Sequence, residues 1–169
     1  FIGSHLVEKL IKNNYKVRAL TYYNPHDSIG CLKYLNKKIF DKLEIINGDV
    51  RDLQLISNCT KRTDVIIHLA ALIGIPYSYH AVKSYIDTNV NGTFNILNAA
   101  RINKVKKILI TSTSEVYGSA REVPIKETHP LNAQSPYAAS KIAADQMALS
   151  FFNSFKTPVT IIRPFNSYG

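Results

Sequence analysis

The sequence predicts an α/β fold built on a doubly wound parallel sheet. Three observations carry that prediction. Short apolar runs alternate with stretches of helical periodicity along the whole 169-residue chain, the pattern of βα units joined by right-handed crossovers. The apolar runs are continuous rather than alternating, as expected of strands covered on both faces. Small and polar residues gather where each run ends, at the edge of such a sheet where ligands bind.

The elements follow in order. Ile2, Leu6 and Leu10, with Val7 beside them, repeat at helical spacing, and Asn13-Asn14 closes that helix. Val17 to Leu20 reads as a strand, Tyr22 to Gly30 as a loop with Asn24-Pro25 as its turn signal, and 31–40 as a short helix. Leu43 to Ile46 is a strand ending at Asn47-Gly48-Asp49, and 52–59 is a helix. Asp64 to Leu69 is a buried strand. After a break at Gly74 to Pro76, Ile86, Val90, Phe94 and Leu97 mark a long helix. Val105 to Ile110 is another buried strand, and 119–134 a polar loop. A helix opens at Pro136 with Ser135 as its N-cap. Val159 to Ile162 is the last strand.

Composition narrows the class. The chain is 46% hydrophobic and 20% charged, a globular balance rather than a disordered one. No apolar run has the length of a bilayer span, so no membrane partner is expected. Two cysteines, Cys31 and Cys59, make neither a disulfide framework nor a zinc site, and a reduced, cytoplasmic setting is the default. His5, His68, His80 and His129 are too dispersed for a metal, so none is expected. His68, inside an apolar strand, reads as a hydrogen-bonded core residue. The formal net charge is +9. The basic residues are scattered, with one knot at Lys104, Lys106 and Lys107 and no aromatic interleaving, so nucleic acid is not an expected partner. Phe1 stands in a helical run with no turn before it, and Phe165 to Gly169 stops without a terminator, so the chain reads as part of a longer one.

Tyr137 and Lys141 stand one turn apart on one face of a helix. An ammonium beside a phenol lowers the phenol's pKa and suits it to act as a base toward a sugar hydroxyl. Thr113, with Ser114 and Glu115 after it, sits at the end of a buried strand. A hydroxyl there can meet the helix tyrosine across one substrate, with Glu115 at hand for proton transfer.

Taken with Phe1-Ile2-Gly3-Ser4-His5-Leu6, Gly48-Asp49-Val50-Arg51-Asp52, His68-Leu69-Ala70-Ala71, Thr88 to Thr93, Thr111 to Gly118, Pro136 to Lys141 and Arg163-Pro164-Phe165-Asn166, the whole chain resembles the extended short-chain dehydrogenase/reductases. The likeness is to their nucleotide-sugar epimerase/dehydratase branch. It implies a Rossmann fold over 1–169, without its first strand and without the C-terminal substrate domain, and therefore an inactive fragment. Gly3 would be the third fingerprint glycine, packing helix closely on strand, with Phe1 and Ile2 beside it at the cofactor. Asp49 and Val50 would contact the adenine, and Leu69, Ala70 and Ala71 would line the cofactor channel. Thr113, Tyr137 and Lys141 would form the catalytic triad, Lys141 also holding the nicotinamide ribose. Asn89 would be a scaffold residue at the substrate, and Asn166 would meet the substrate's diphosphate or sugar. A homodimer through the two long helices is implied as well.

The cofactor implied is NAD, with NADP left open. At the end of the second strand, where an acid would hold the ribose 2′-OH, stand Thr21, Tyr22, Tyr23 and Asn24. Family 4,6-dehydratases carry Thr-Asp-Glu where this chain has Thr113-Ser114-Glu115. The Ser variant also fits UDP-glucuronate decarboxylases and, in variants, 4-epimerases. The wording of Ile75 to His80 and of Pro130 to Tyr137 is most similar to dehydratases of the legionaminic-acid pathway. The expected reaction is therefore 4,6-dehydration of a nucleotide-linked N-acetylglucosamine, through transient oxidation at C4, loss of water across C5–C6 and hydride return. The alternatives are the epimerase, the decarboxylase, or a non-catalytic dinucleotide binder. In the dehydratase reading Tyr137 takes the O4 proton, Glu115 the C5 proton, and Ser114 relays. Tyr77 and Tyr79 either border the sugar or pack at a helix start.

Overall fold

The computed structural model describes residues 1–168. Its strands are β1 (Val17–Tyr22), β2 (Leu43–Gly48), β3 (Val65–His68), β4 (Lys107–Thr111) and β5 (Val159–Ile162). Every pairing is parallel: β1 with β2, and β3-β4-β5 in that order. Among the described residues the two sheets do not hydrogen-bond to each other. The helices are α1 (Ile2–Lys12), α2 (Lys37–Phe40), α3 (Leu53–Cys59), α4 (Ile75–Ser78), α5 (Val82–Tyr85), α6 (Gly92–Ile102) and α7 (Pro136–Phe155). A π-helical segment, Ile86–Asn91, runs without a break from α5 into α6.

The elements match the sequence expectation except where a side chain intervenes. The helix expected over 31–40 is a 3-10 turn, Gly30–Tyr34, and then α2. Leu35 between them is extended, and Asn36 restarts the helix by accepting from the Lys38 N–H at 2.9 Å, a cap that competes with helix continuation. Val105, expected in β4, instead closes α6: its N–H donates to the Ala100 carbonyl at 2.9 Å and its side chain is buried.

Within the described residues one face of the strands is more deeply buried than the other. Ile66 and His68 of β3 lie in register with Ile108 and Ile110 of β4, and all four are buried. They share a core with Ile56 of α3, Ile96 and Leu97 of α6, and Ala148 and Phe151 of α7. On the opposite face Ile67 and Leu109 are only half-buried, and Thr160 and Ile162 are exposed. A second cluster, centred on Val7, Ile11 and Leu32, packs α1 and the 3-10 turn on β1 and β2.

Polar ties fasten α6 to α3 and to the segment that follows β2. Asn103 donates to the Ser57 carbonyl at 2.9 Å and to Thr60 Oγ1 at 2.8 Å. Asn95, buried, donates to the carbonyls of Val50 and Arg51 at 3.0 and 2.9 Å. His68 is a core residue as expected, its Nε2 3.1 Å from Thr93 Oγ1. Several of the scattered basic residues have a structural account. Arg62, Lys104 and Lys156 all follow helices, with φ of 58°, 53° and 56°, where a cation faces the negative end of the helix dipole. The exposed Lys106–Asp64 pair, at 2.7 Å, adds little.

Two outcomes follow for the full-length protein. Leu97 is fully buried, so Leu97→Ala costs about 2–5 kcal/mol in denaturant unfolding. Burial, with Lys141 nearby, drives the His68 pKa down to about 3, below the ordinary value of about 6.5. Unfolding therefore releases a ring that takes a proton the folded core refuses. The His68 contribution to stability is intact above about pH 6.5 and is lost toward pH 3 at up to ~1.4 kcal/mol per pH unit. His68→Gln should flatten that slope in urea titrations run across the window.

Candidate active site

The site forms where β4, α7 and the long helix meet at the carboxyl end of the sheet. Beyond Thr111 the chain enters a 3-10 turn, Ser114–Tyr117, capped by Thr113, whose Oγ1 accepts from the Glu115 N–H at 3.2 Å. Thr113 and Ser114 are half-buried and Glu115 is exposed. The turn ends at Gly118, with φ 62°, where a Cβ would lie 2.5 Å from the Asn132 carbonyl oxygen. Only glycine lets the following loop fold back so closely, and the Asn132 N–H donates to the Val116 carbonyl at 2.8 Å.

Across from this turn, α7 begins as predicted: Ser135 Oγ accepts from the Ala138 N–H at 3.0 Å and proline occupies the first turn. Tyr137 and Lys141 project from the buried face of α7, 7% and 4% exposed. Lys141 Nζ donates to the Thr111 carbonyl at 2.7 Å. That bond ties the helix to the end of β4 and also aims the ammonium at the backbone.

The expectation that Lys141 lowers the Tyr137 pKa is not met in this arrangement. Burial pushes the phenol up, while the Thr113 side chain pulls it down and Glu115 and Tyr85 push it up further. Lys141 itself is brought down to about 8 by burial, against the opposing pull of Asp145. The pair is therefore a buried phenol and a cation within reach of deprotonation.

Asn89 lies in the π segment, 1% exposed. Its Oδ1 accepts from the Leu72 N–H at 2.8 Å, and its Nδ2 donates to the Leu72 carbonyl and to Ser140 Oγ, both at 2.9 Å. Both ends of the Asn89 amide are thus engaged within the protein. Asn89 pins the 69–72 segment to α7. Tyr77, on α4, is largely exposed; its ring lies 6.2 Å from that of Tyr85, which lies 6.2 Å from Tyr137. Tyr79 is equally exposed.

The residues expected at a cofactor lie along one edge. Phe1 and Ile2 are exposed at the start of α1, Leu69 and Ala71 are half-buried past β3, and Ala70 is exposed. A Cβ on Gly3 would stand 3.7 Å from Leu69 Cδ1, ordinary contact. Val50 turns inward against Gly92 and its carbonyl takes Asn95, so its side chain does not face a ligand. Asp49 is half-buried and bound to Arg51 through both oxygens, which holds its carboxyl below the usual range. Tyr22, Tyr23, Asn47, Gly48, Asp49, Asp52 and Leu55 line a cavity of about 320 Å³ at this edge. Asn166 is exposed beyond β5.

Sequence reasoning missed Tyr85, Ser140 and Asp145. Tyr85 donates to the Gly74 carbonyl at 2.5 Å and abuts Tyr137. Asp145, fully buried one turn past Lys141, pairs with Arg163 at 2.9 Å. An acid on the apolar face of a predicted helix was the available signal.

The comparisons fit this geometry. The family model for GDP-mannose 4,6 dehydratase matches residues 1–169. A dTDP-D-glucose 4,6-dehydratase of Dictyostelium discoideum is 34% identical over all of this chain and 42% of its own length. The chain spans about half the length of the curated relatives it matches. Among solved structures, a UDP-N-acetylglucosamine 4-epimerase from Methanobrevibacter ruminantium, in complex with UDP-N-acetylmuramic acid, superposes with a TM-score of 0.90 at 32% identity, covering all of this chain and 53% of that one. DesIV, a dTDP-glucose 4,6-dehydratase of Streptomyces venezuelae with NAD bound, gives 0.83 at 32% identity, covering all of this chain and 54% of that one. Dehydratases and epimerases thus share this half of the molecule. From its complete match to the family model and its parallel-sheet fold, the chain belongs to the GDP-mannose 4,6 dehydratase family, among the NAD-dependent epimerases and dehydratases of the extended short-chain dehydrogenase/reductase group.

Proposed function

We propose that the full-length protein is a 4,6-dehydratase of a nucleotide-linked N-acetylhexosamine, working with tightly held NAD. The observation that carries this reading is the capped turn that presents Glu115, exposed, beside Tyr137. An epimerase needs only to oxidise and reduce C4. A carboxylate beside the tyrosine supplies a second base, which elimination requires and epimerisation does not.

The cavity at Tyr22, Tyr23 and Asp49 fits the adenosine half of a dinucleotide, and the Tyr137–Lys141 face fits its other end. Bound NAD would take the C4 hydride and give it back at C6 after water is lost, so that no outside oxidant is consumed, and in its oxidised form it would add a positive charge that favours the Tyr137 phenolate. Tyr137 then takes the O4 proton, aided by the Thr113 side chain. With C4 a ketone, the C5 proton is acidic and Glu115 removes it as the C6 hydroxyl leaves. Ser114, where dehydratases have an acid, relays a proton. Tyr77 and Tyr79 border the open side. Exposed Phe94, Leu149 and Phe152 along α6 and α7 support a homodimer through those helices.

A second reading, nucleotide-sugar 4-epimerase, is favoured by one observation: Ser114 is a poor acid for expelling a hydroxyl.

Mass spectrometry of the full-length protein incubated with NAD and a panel of nucleotide sugars separates the two. Loss of water from an N-acetylhexosamine nucleotide is the expected result; an isomer of unchanged mass would establish the epimerase. Glu115→Gln should stop elimination yet still yield reduced nicotinamide absorbance on adding substrate. Tyr137→Phe should lower kcat by ~10²–10⁴-fold. Asp49 and Asp52 line the cofactor cavity, and Arg51 answers only Asp49. The remaining carboxylate of Asp52 disfavours a 2′-phosphate, so NADP should bind more weakly than NAD by calorimetry.

A further inference from the structure

A buried ion pair beneath the proposed proton-transfer residues has no part in the function set out above. Asp145 is 0% exposed and lies one helical turn past Lys141, on the same face of α7. Its Oδ2 accepts from Arg163 Nε at 2.9 Å, and its Oδ1 has no donor among the described residues. Arg163, at the end of β5, also donates from a terminal nitrogen to the Tyr117 hydroxyl at 3.0 Å, and its guanidinium lies 5.1 Å from the centre of that ring. Tyr117 belongs to the turn that carries Ser114 and Glu115. The same edge is laced by backbone bonds, from the Ser112 N–H to the Ile162 carbonyl at 2.7 Å and from the Ser114 N–H to the Pro164 carbonyl at 3.1 Å. One guanidinium thus links α7, the turn and the end of β5.

A carboxylate so deep in the protein is costly to keep charged. If it only fastened β5, an apolar contact would serve as well. Its position one turn from a buried ammonium gives the charge a further use. Around Lys141 the titratable and charged groups are His68 from β3, Tyr137 and Asp145 from α7, Glu115 from the turn beside Tyr137, and Arg163 from β5 behind Asp145. The carboxylates of Asp145 and Glu115 are the anions in that set, and Asp145 is the one in the core.

We propose that Asp145 is a positioning residue: held by Arg163, its carboxylate keeps Lys141 a cation and locks the turn bearing Thr113, Ser114 and Glu115 against the Tyr137–Lys141 face of α7. Its role in turnover rests on the reading of Tyr137 and Lys141 as the proton-transfer pair; its effect on Lys141 does not. The direction of Lys141's titration agrees, since Asp145 opposes the effect of burial.

The test uses the full-length protein with NAD. The protonation of Lys141 is followed by the pH dependence of its acylation, read by peptide mass spectrometry, and in parallel by the alkaline limb of kcat/KM for the converted nucleotide sugar. Asp145→Asn should move both midpoints down by about one pH unit, and Asp145→Glu should return them toward wild type. The pair Asp145→Leu with Arg163→Met keeps the test open if the single variant unfolds. It should fold, because a packed apolar pair replaces the ion pair, and yet retain the displaced midpoint. A Lys141 midpoint unchanged in both Asp145→Asn and the double variant overturns the proposal and leaves a purely structural tie. If the acylation midpoint moves but Lys141→Met still turns substrate over, Asp145 keeps its hold on Lys141 and it is the proton-transfer reading that fails.

Discussion

An ammonium with only 4% of its residue exposed must find its partners inside the protein, and at Lys141 those partners set the layout of the whole site. The bond to the Thr111 carbonyl fixes α7 at the end of β4. That contact places Tyr137, one turn earlier, over the turn capped by Thr113. The helix can approach the strand this closely because its buried face is small, with Ala138, Ala144 and Ala148 all at or below 1% exposure. The charge then needs an answering one, and Asp145 stands one turn further on. Sheet, helix and the Thr113-capped turn are thereby coupled through a single side chain whose pKa, at about 8, lies near neutrality.

The polar scaffold extends this coupling without adding further charge. Asn89 spends its whole amide on Leu72 and Ser140, and Ser140 in turn bonds the Tyr137 carbonyl at 2.7 Å. His68 is held neutral by burial beside Lys141. A second cation there would compete with the first for the same anion, so a neutral imidazole is the form this core accommodates.

Much of the architecture was legible because the chain marks its own boundaries. Ser135-Pro136 announces α7, Asp52 caps α3 through the Leu55 N–H, and four of the five strands begin within a residue of their apolar runs. Tyr137, Lys141, Thr113 and Glu115 were legible because a helical spacing and a strand end bring them together by geometry alone. The features that stayed hidden depend on contacts distant in sequence. The half-covered sheet face depends on which helices pack where. The Tyr137 pKa depends on where the Lys141 ammonium points, and one-turn spacing does not say that it points at Thr111. The partner of Asp145, Arg163, lies on another element, and helical spacing alone does not name it.

The π segment has a consequence for the phase of the long helix. Each π turn holds one residue more than an α turn, so the stretch from Ile86 to Asn91 rotates α5 relative to α6 by about 100°. Before it stands Tyr85, facing Tyr137; after it stand Ile96 and Leu97, facing the sheet. Tyr85 and Ile96 are eleven residues apart, close to three full α turns, so in a regular helix they would share one face. The extra residue turns the two faces apart and lets a single rod serve two directions, and its removal would be felt as a twist between the sheet core and the Tyr137 face rather than as a lost contact.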